Sequence, residues 1–152
     1  MISPHTSAVG DLAGSVSRSV VGAASTFTQI VSEQVGMSVS HVEFADRATL
    51  DRCLSDLDGR CGSCLCSVVQ RMRTFDGSRT DAMLVLPQPA GLALVRRMLG
   101  LPGDAAGLSE LEQDALAEVG NIVIDACTGA LAGFFGWNIE AAQPQVALAR
   151  PD

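Results

Sequence analysis

The segment from Ser109 to Phe135 constrains the fold most, because it carries a start signal, a long apolar run and a stop signal for one helix. Ser109 and Glu112 have the spacing of a capping box, in which each side chain accepts a hydrogen bond from the other residue's backbone N–H. The apolar run continues to Phe135, and Gly136 follows it as a helix terminator. We therefore predict one long central helix that the rest of the chain must cover.

A polar stripe follows this predicted helix. At about 100° per residue, four polar side chains project to one side: Asp114, Glu118, Asn121 and Asp125. Apolar side chains occupy the sides and back: Leu111, Ala115, Val119, Ile122, Val123, Ala126 and Ala130. Gly120 and Asn121 both weaken a helix interior, so helix propensity does not explain them. We expect such an exception at a functional site, with the stripe accessible and Val119, Ile122 and Val123 buried.

Composition is typical of one folded domain. The 152 residues are 47% hydrophobic and 18% charged, which suits a chain long enough to bury a core. The net charge is −7, and all ten basic residues are scattered arginines. Nucleic acids and anionic membranes bind clustered cations, so neither is an expected partner. We expect a single domain over residues 1–152, with residues 1–7 flexible.

Three further features predict a cytoplasmic protein. Met1 to Gly10 has neither the basic start nor the apolar core of a signal peptide. The most membrane-like window, Val119 to Trp137, contains Asn121 and Asp125, which a membrane span disfavours. Five cysteines, an odd number, fit a reduced compartment better than a disulfide framework.

The periodicities along the rest of the chain predict an α+β layer arrangement with helices covering one sheet. In chain order we predict a helix over 9–34, a strand over Met37–Phe44, a short helix or structured loop over 46–57, a strand over 62–73, a turn at Asp76-Gly77, a strand over Asp81–Leu86, a helix opened by Pro89 and stopped by Gly100 with Pro102-Gly103, the central helix, and a strand over Trp137–Leu148.

The main alternative constellation is a group of thiols: Cys53, Cys61, Cys64 and Cys66. A C-x-x-C pair can bind zinc or carry redox chemistry. However, Cys64 and Cys66 alternate with Leu65 on a predicted strand and share a face with Val68 and Met72. Buried thiols pack as small apolar side chains, so we predict free thiols without metal, and the same for Cys127. A metal or redox module remains the alternative.

The spacing of the polar stripe resembles a family signature. Asp114, Glu118 and Asn121, followed after twenty-two residues by Pro144, match the pattern Asp/Ser-x3-Glu-x2-Asn-x22-Pro of the CheC, CheX and FliY family of chemotaxis phosphatases. The resemblance covers residues 8–148. Shifted by 104 residues, Glu118 and Asn121 fall on Gly14 and Ser17, so a second copy of the motif is absent. With one motif and this length, the chain is most similar to CheX.

The resemblance implies a CheC-like fold, with helices packed on one mostly antiparallel sheet and the site on the long central helix. It implies a substrate, the aspartyl phosphate of a CheY-type response-regulator receiver domain. Because an acyl phosphate is reactive, its hydrolysis needs an aligned water and neutralised charge. Asn121 is expected to hold the attacking water, and Glu118 to pair with a receiver lysine. Asp114 and Pro144 are expected accessory or docking residues.

The same resemblance implies no metal or cofactor of the chain's own, because the receiver supplies a divalent metal, expected to be Mg²⁺. Eight residues follow Pro144, where CheX-like chains usually continue with further strands. This leaves two arrangements, a shorter sheet or a homodimer in which a partner subunit completes it. Two functions also remain, a phosphatase without a covalent intermediate on itself, and a non-catalytic CheC-like adaptor for a receiver or flagellar-motor component. An adaptor has no need of both Glu118 and Asn121, which favours the phosphatase.

Overall fold

The computed structural model describes residues 4–31, 34–61, 65–74, 76–101 and 109–149. Their elements are, in chain order, helix α1 (Pro4–Val31), helix α2 (Arg47–Cys61), strand β1 (Leu65–Thr74), strand β2 (Arg79–Pro87), helix α3 (Gln88–Leu99), helix α4 (Glu110–Phe135), strand β3 (Ile139–Ala141) and strand β4 (Gln145–Ala149). The predicted α+β class is confirmed. Helix α4 lies against β1 and β2, and both α1 and α3 lie against α4.

Strand β1 is the centre of an antiparallel sheet. It pairs along one edge with β2 and along the other with β3 and β4. The predicted turn at Asp76-Gly77 joins β1 to β2, and Gly77 has a φ of +85°, a conformation that favours glycine. Cys66, Val68 and Met72 alternate on the inner face of β1 and are buried in one core with side chains of α4 and α3. The core therefore forms between α4 and this face of the sheet.

The signals that delimit α4 act as predicted. The Ser109 side chain accepts a hydrogen bond from the Glu112 backbone N–H, and Glu112 Oε2 accepts one from the Ser109 N–H at 3.0 Å. Glu112 Oε1 also accepts from Arg96 Nε at 3.1 Å, and both side chains are buried. The Ser109 N–H and then the Arg96 side chain lower the pKa of the Glu112 carboxyl. A capping residue thus also fixes α4 to α3. At the other end, Gly136 has a φ of +69°.

Gly120 has a steric reason for its place in α4. A Cβ atom at this position would lie 2.3 Å from Val68 Cγ1 and 2.5 Å from Val68 Cβ. Real carbon atoms in contact stay about 3.5–4.0 Å apart, so only glycine lets the helix approach β1 this closely. The exception to helix propensity at Gly120 therefore reflects packing, and it brings the next residue, Asn121, close to the sheet.

The predicted strand over Met37–Phe44 is wrong. Residues 34–46 form no strand, although their side chains alternate between half-buried and exposed from Met37 to Ser40. Met37, Val39 and Val42 pack against a second apolar cluster, which α1 and α4 provide through Leu12, Val16, Val20 and Ala130. The alternation thus reports one-sided burial of an extended segment on helices. A strand also requires a partner edge, and none of the described strands pairs with this segment.

The predicted last strand over Trp137–Leu148 is two strands, β3 and β4, separated by residues 142–144. Between the two ladders, the two β1 residues Gln70 and Arg71 lie opposite the three residues 142–144. One extra residue on one strand of a pair is a β-bulge, which bends the strand and redirects its side chains. Pro144 fits this position because it has no N–H to donate to a ladder.

The remaining boundaries shift modestly. Helix α1 begins at Pro4 and ends at Val31. The helix predicted over 46–57 extends to Cys61, and the Asp46 carboxylate accepts a hydrogen bond from the Thr49 N–H at 2.8 Å near its start. Helix α3 has proline in its first turn and ends at Gly100 as predicted. Residues 62–64 of the predicted β1 strand and Pro102-Gly103 lie outside the described residues.

Candidate functional site

A groove of about 500 Å³ lies between α4 and the β-bulge. Its lining residues come from three elements: Gln70 of β1, Glu118, Asn121 and Asp125 of α4, and Ala141, Ala142, Gln143 and Pro144 of the bulge and its flank. Glu118 and Asp125 are exposed and Asn121 is half-buried, whereas Gln70 is only 3% exposed. The groove therefore has a polar helix face as one wall, the bulge as the other and a buried amide between them.

Three of the four residues of the sequence motif line this groove, namely Glu118, Asn121 and Pro144. Asp114 is exposed on α4, one turn before Glu118, and does not line the groove. Of the three side chains that we expected to be buried, only Val119 is. Ile122 and Val123 are only half-buried and pack at the margin of the core.

Two amides connect the walls of the groove. Gln70 Nε2 donates a hydrogen bond to Asn121 Oδ1 at 3.4 Å and another to the carbonyl oxygen of Ala142 at 2.9 Å. The Ala142 N–H donates in turn to the carbonyl oxygen of Arg71 at 2.9 Å. The bulge is therefore attached to β1 through both its backbone and the Gln70 side chain. Gln70 Oε1 is buried and has no hydrogen-bond partner among the described residues.

The groove offers carboxylates and carboxamides. Its lining residues include the Glu118 and Asp125 carboxylates and the Gln70, Asn121 and Gln143 amides. None of the described residues that line it carries a hydroxyl, a thiol or a cationic group. Carboxamides can donate and accept hydrogen bonds, and carboxylates accept them or pair with a cation. This set can orient a water molecule and bind a positive group from a partner. It does not provide a nucleophile of the serine or cysteine kind.

Sequence reasoning left out Gln70 and Gln143, and it placed Asp125 in the polar stripe without giving it a role. A signal for Gln70 was available, because it falls on the same face of β1 as Cys66, Val68 and Met72 and is polar. Gln143 offers no such signal, because its position depends on a bulge between strands that are distant in sequence. Asp125 becomes a groove residue only because the bulge lies opposite it.

The thiols do not converge in the described part of the chain. Cys53 is exposed, whereas Cys66 is buried in the main core with Val68 and Met72, and burial raises the pKa of its thiol. Cys127 is half-buried beside the second apolar cluster. Among the described residues, no group of three or more His, Cys, Asp or Glu could hold a metal ion. Cys64 and the side chain of Cys61 lie outside those residues.

Helix α4 is long and apolar enough to cross a membrane by length and composition alone. In this structure it is the helix that packs on the sheet, with Leu116, Val119 and Ile124 buried in the core. Glu118 and Asp125 lie at its middle and are exposed. A core helix of a folded domain can meet the same length and composition criteria.

The fold has a counterpart among solved structures. The crystal structure of FliY from Thermotoga maritima superposes with a TM-score of 0.68 at 19% sequence identity, covering 99% of this chain and 71% of that one. No protein-family model matches the chain, and no curated protein does so either. FliY is one of the three proteins whose shared motif the polar stripe resembles. The chain therefore has the CheC-like α+β fold that the motif predicts, with the motif residues of α4 at one groove.

Proposed function

We propose that this protein is a phosphatase that hydrolyses the aspartyl phosphate of a CheY-type receiver domain, in chemotaxis or related two-component signalling. One observation carries the proposal. Glu118 and Asn121 of α4 line the same groove as Pro144 of the bulge, which lies more than twenty residues further along the chain. Three of the four motif residues are thus close in space as well as correctly spaced in the sequence.

Asn121 is the residue to which we assign the attacking water. Its side chain is half-buried at the groove and accepts a hydrogen bond from Gln70, so it is held more firmly than an exposed asparagine would be. A carboxamide can both accept a hydrogen bond from a water and donate one to it. Fixing that water in line with the phosphorus atom supplies the alignment that acyl-phosphate hydrolysis requires. The reaction then needs no covalent intermediate on this chain.

Glu118 is the residue to which we assign docking. It is exposed one turn before Asn121 on the same wall of the groove. A carboxylate there can pair with a lysine of the receiver and align the two proteins. The receiver contributes the Mg²⁺ that neutralises charge on the phosphoryl group, so the chain needs no metal of its own. Asp114, exposed one turn earlier, extends the acidic surface that the receiver would meet.

With one motif, the protein would act as CheX-like chains do, in the cytoplasm where phosphorylated receivers occur. Pro144 contributes through the shape of the bulge. A homodimer is the alternative to a monomer with a four-stranded sheet, and sedimentation velocity distinguishes the two.

The test is the decay rate of a phosphorylated CheY-type receiver from the same genome, measured with and without substoichiometric protein. We expect faster decay with the protein, and equally fast decay with Asp56→Ala, which removes an exposed carboxylate of α2 outside the groove. If the protein binds the receiver's fluoroberyllate adduct but leaves the decay unchanged, the adaptor function replaces the phosphatase.

A further inference from the structure

The side chain of Gln70 is the polar exception on an apolar surface. Cys66, Val68 and Met72 share its face of β1, and all three belong to the buried core. Gln70 is itself 97% buried, since its exposed fraction is 3%. Its Oε1 atom has no hydrogen-bond partner among the described residues, and an unpartnered buried acceptor destabilises a fold. Packing alone would favour an apolar side chain of similar size here.

The two hydrogen bonds that Gln70 donates determine how its amide is oriented. One N–H meets the carbonyl oxygen of Ala142, which is fixed because it belongs to the backbone of the bulge. Turning the Gln70 amide over would place Oε1 against that carbonyl oxygen, two acceptors facing each other. The bulge therefore sets the orientation of the Gln70 amide.

The Gln70 amide in turn sets the orientation of Asn121. An asparagine carboxamide has nearly the same shape after a half-turn that exchanges its oxygen and nitrogen atoms. Only one of these orientations is compatible with the Gln70 N–H, because this donor requires an oxygen opposite it, and that oxygen is Asn121 Oδ1. The Asn121 amide nitrogen consequently points away from Gln70.

We propose that Gln70 is a positioning residue, which transmits the geometry of the bulge to the carboxamide of Asn121. The order is Pro144 and the bulge, the Ala142 carbonyl, the Gln70 amide and then Asn121. Its effect on turnover rests on the proposed function, whereas its effect on the orientation of Asn121 does not. This role also gives a reason for a buried amide with an unpartnered oxygen beside the groove.

Gln70→Met tests the proposal, because methionine has a similar volume and suits the apolar face. The groups left behind, Asn121 Oδ1 and the Ala142 carbonyl, belong to half-buried and exposed residues that water can reach. We therefore expect the free energy of unfolding in urea to stay the same or rise. We expect kcat for the phosphorylated receiver to fall on the order of tenfold, with the affinity for the fluoroberyllate adduct within about twofold. Met72→Leu, on the same face of β1, should leave all three quantities unchanged.

A second readout needs no receiver. The side-chain amide signals of Asn121 in a ¹⁵N spectrum, assigned by their loss in Asn121→Ala, should shift in Gln70→Met and stay in place in Met72→Leu. Unchanged Asn121 signals in Gln70→Met would overturn the inference whatever the activity. So would a large loss of stability in both Gln70→Met and Gln70→Leu, because Gln70 would then be structural. If the parent protein does not accelerate decay, the phosphatase proposal fails, and the spectrum still decides the role of Gln70.

Discussion

The contact between Gly120 and β1 yields a sharp prediction, the effect of Gly120→Ala on stability. Alanine has a better helix propensity than glycine by about 1 kcal/mol, so an exposed site would gain stability. Here the new methyl group would lie 2.3 Å from Val68 Cγ1, and Val68 is 1% exposed. Since atoms in contact need about 3.5–4.0 Å, α4 and β1 must separate by about 1 Å. Overpacking costs about 1–3 kcal/mol, and a contact this close between α4 and a buried strand lies at the upper end. After the gain in helix propensity is subtracted, we expect a net loss of about 2 kcal/mol.

Urea unfolding followed by circular dichroism measures this loss, and the chain supplies its own control. Gly129 is exposed in the same helix, and a Cβ there would meet nothing within 4 Å. Gly129→Ala should therefore stabilise the protein by about 0.5–1 kcal/mol. Val68→Ala removes the two Cγ atoms that the new methyl group would meet but leaves Val68 Cβ at 2.5 Å, so it relieves only part of the clash. Val68→Ala should therefore cost less stability in the Gly120→Ala background than in the parent, by about 0.5 kcal/mol or more. If Gly120→Ala is as stable as the parent, the close approach of α4 to β1 is wrong.

The other predictions concern docking, pH and metal. Glu118→Ala should weaken both receiver binding and turnover, because an ion pair between the proteins supplies docking as well as alignment. The free energy of unfolding should change by less than about 0.5 kcal/mol, since the position is exposed. Receiver binding by the variant that is as tight as that of the parent would contradict the docking role. The pKa of Glu112 lies below its ordinary value of 4.5, so its contribution to stability is present above pH 4.5 and is lost as the pH falls through the lower, folded-state pKa. Glu112→Gln should remove the loss of stability that Glu112 causes at acid pH. If the free energy of unfolding depends on pH between about 7 and 3 in the same way in Glu112→Gln and in the parent, this role of Glu112 is refuted. Elemental analysis of protein purified without added metal should find no stoichiometric zinc or iron, and zinc that is lost on mutating Cys61 or Cys64 would favour the metal-module alternative.

Local signals were the ones that sequence reasoning interpreted correctly. The capping box at Ser109 and the terminator at Gly136 delimit α4 because each depends on hydrogen bonds within a few residues. The helical period placed Glu118 and Asn121 on one face for the same reason. These features require no knowledge of the rest of the fold.

Features that depend on distant partners could not be predicted in the same way. The alternation from Met37 onwards indicates one-sided burial, but whether a strand forms depends on a free edge elsewhere. The bulge at 142–144 arises from the register of two strands against β1, and Gln70 meets Asn121 across fifty-one positions in the chain. A glycine at position 120 is unusual for a helix interior, and the reason is the close contact with Val68 of β1. No pattern within α4 reveals that contact.

The proposed function depends most on the assignment of the attacking water to Asn121. Its most direct test is single-turnover decay of the phosphorylated receiver with saturating parent protein or saturating Asn121→Ala. We predict a decrease on the order of 10²-fold or more, as for loss of one preorganised transition-state contact, with binding of the fluoroberyllate adduct largely retained. If Asn121→Ala accelerates decay as well as the parent does, the assignment of Asn121 is contradicted.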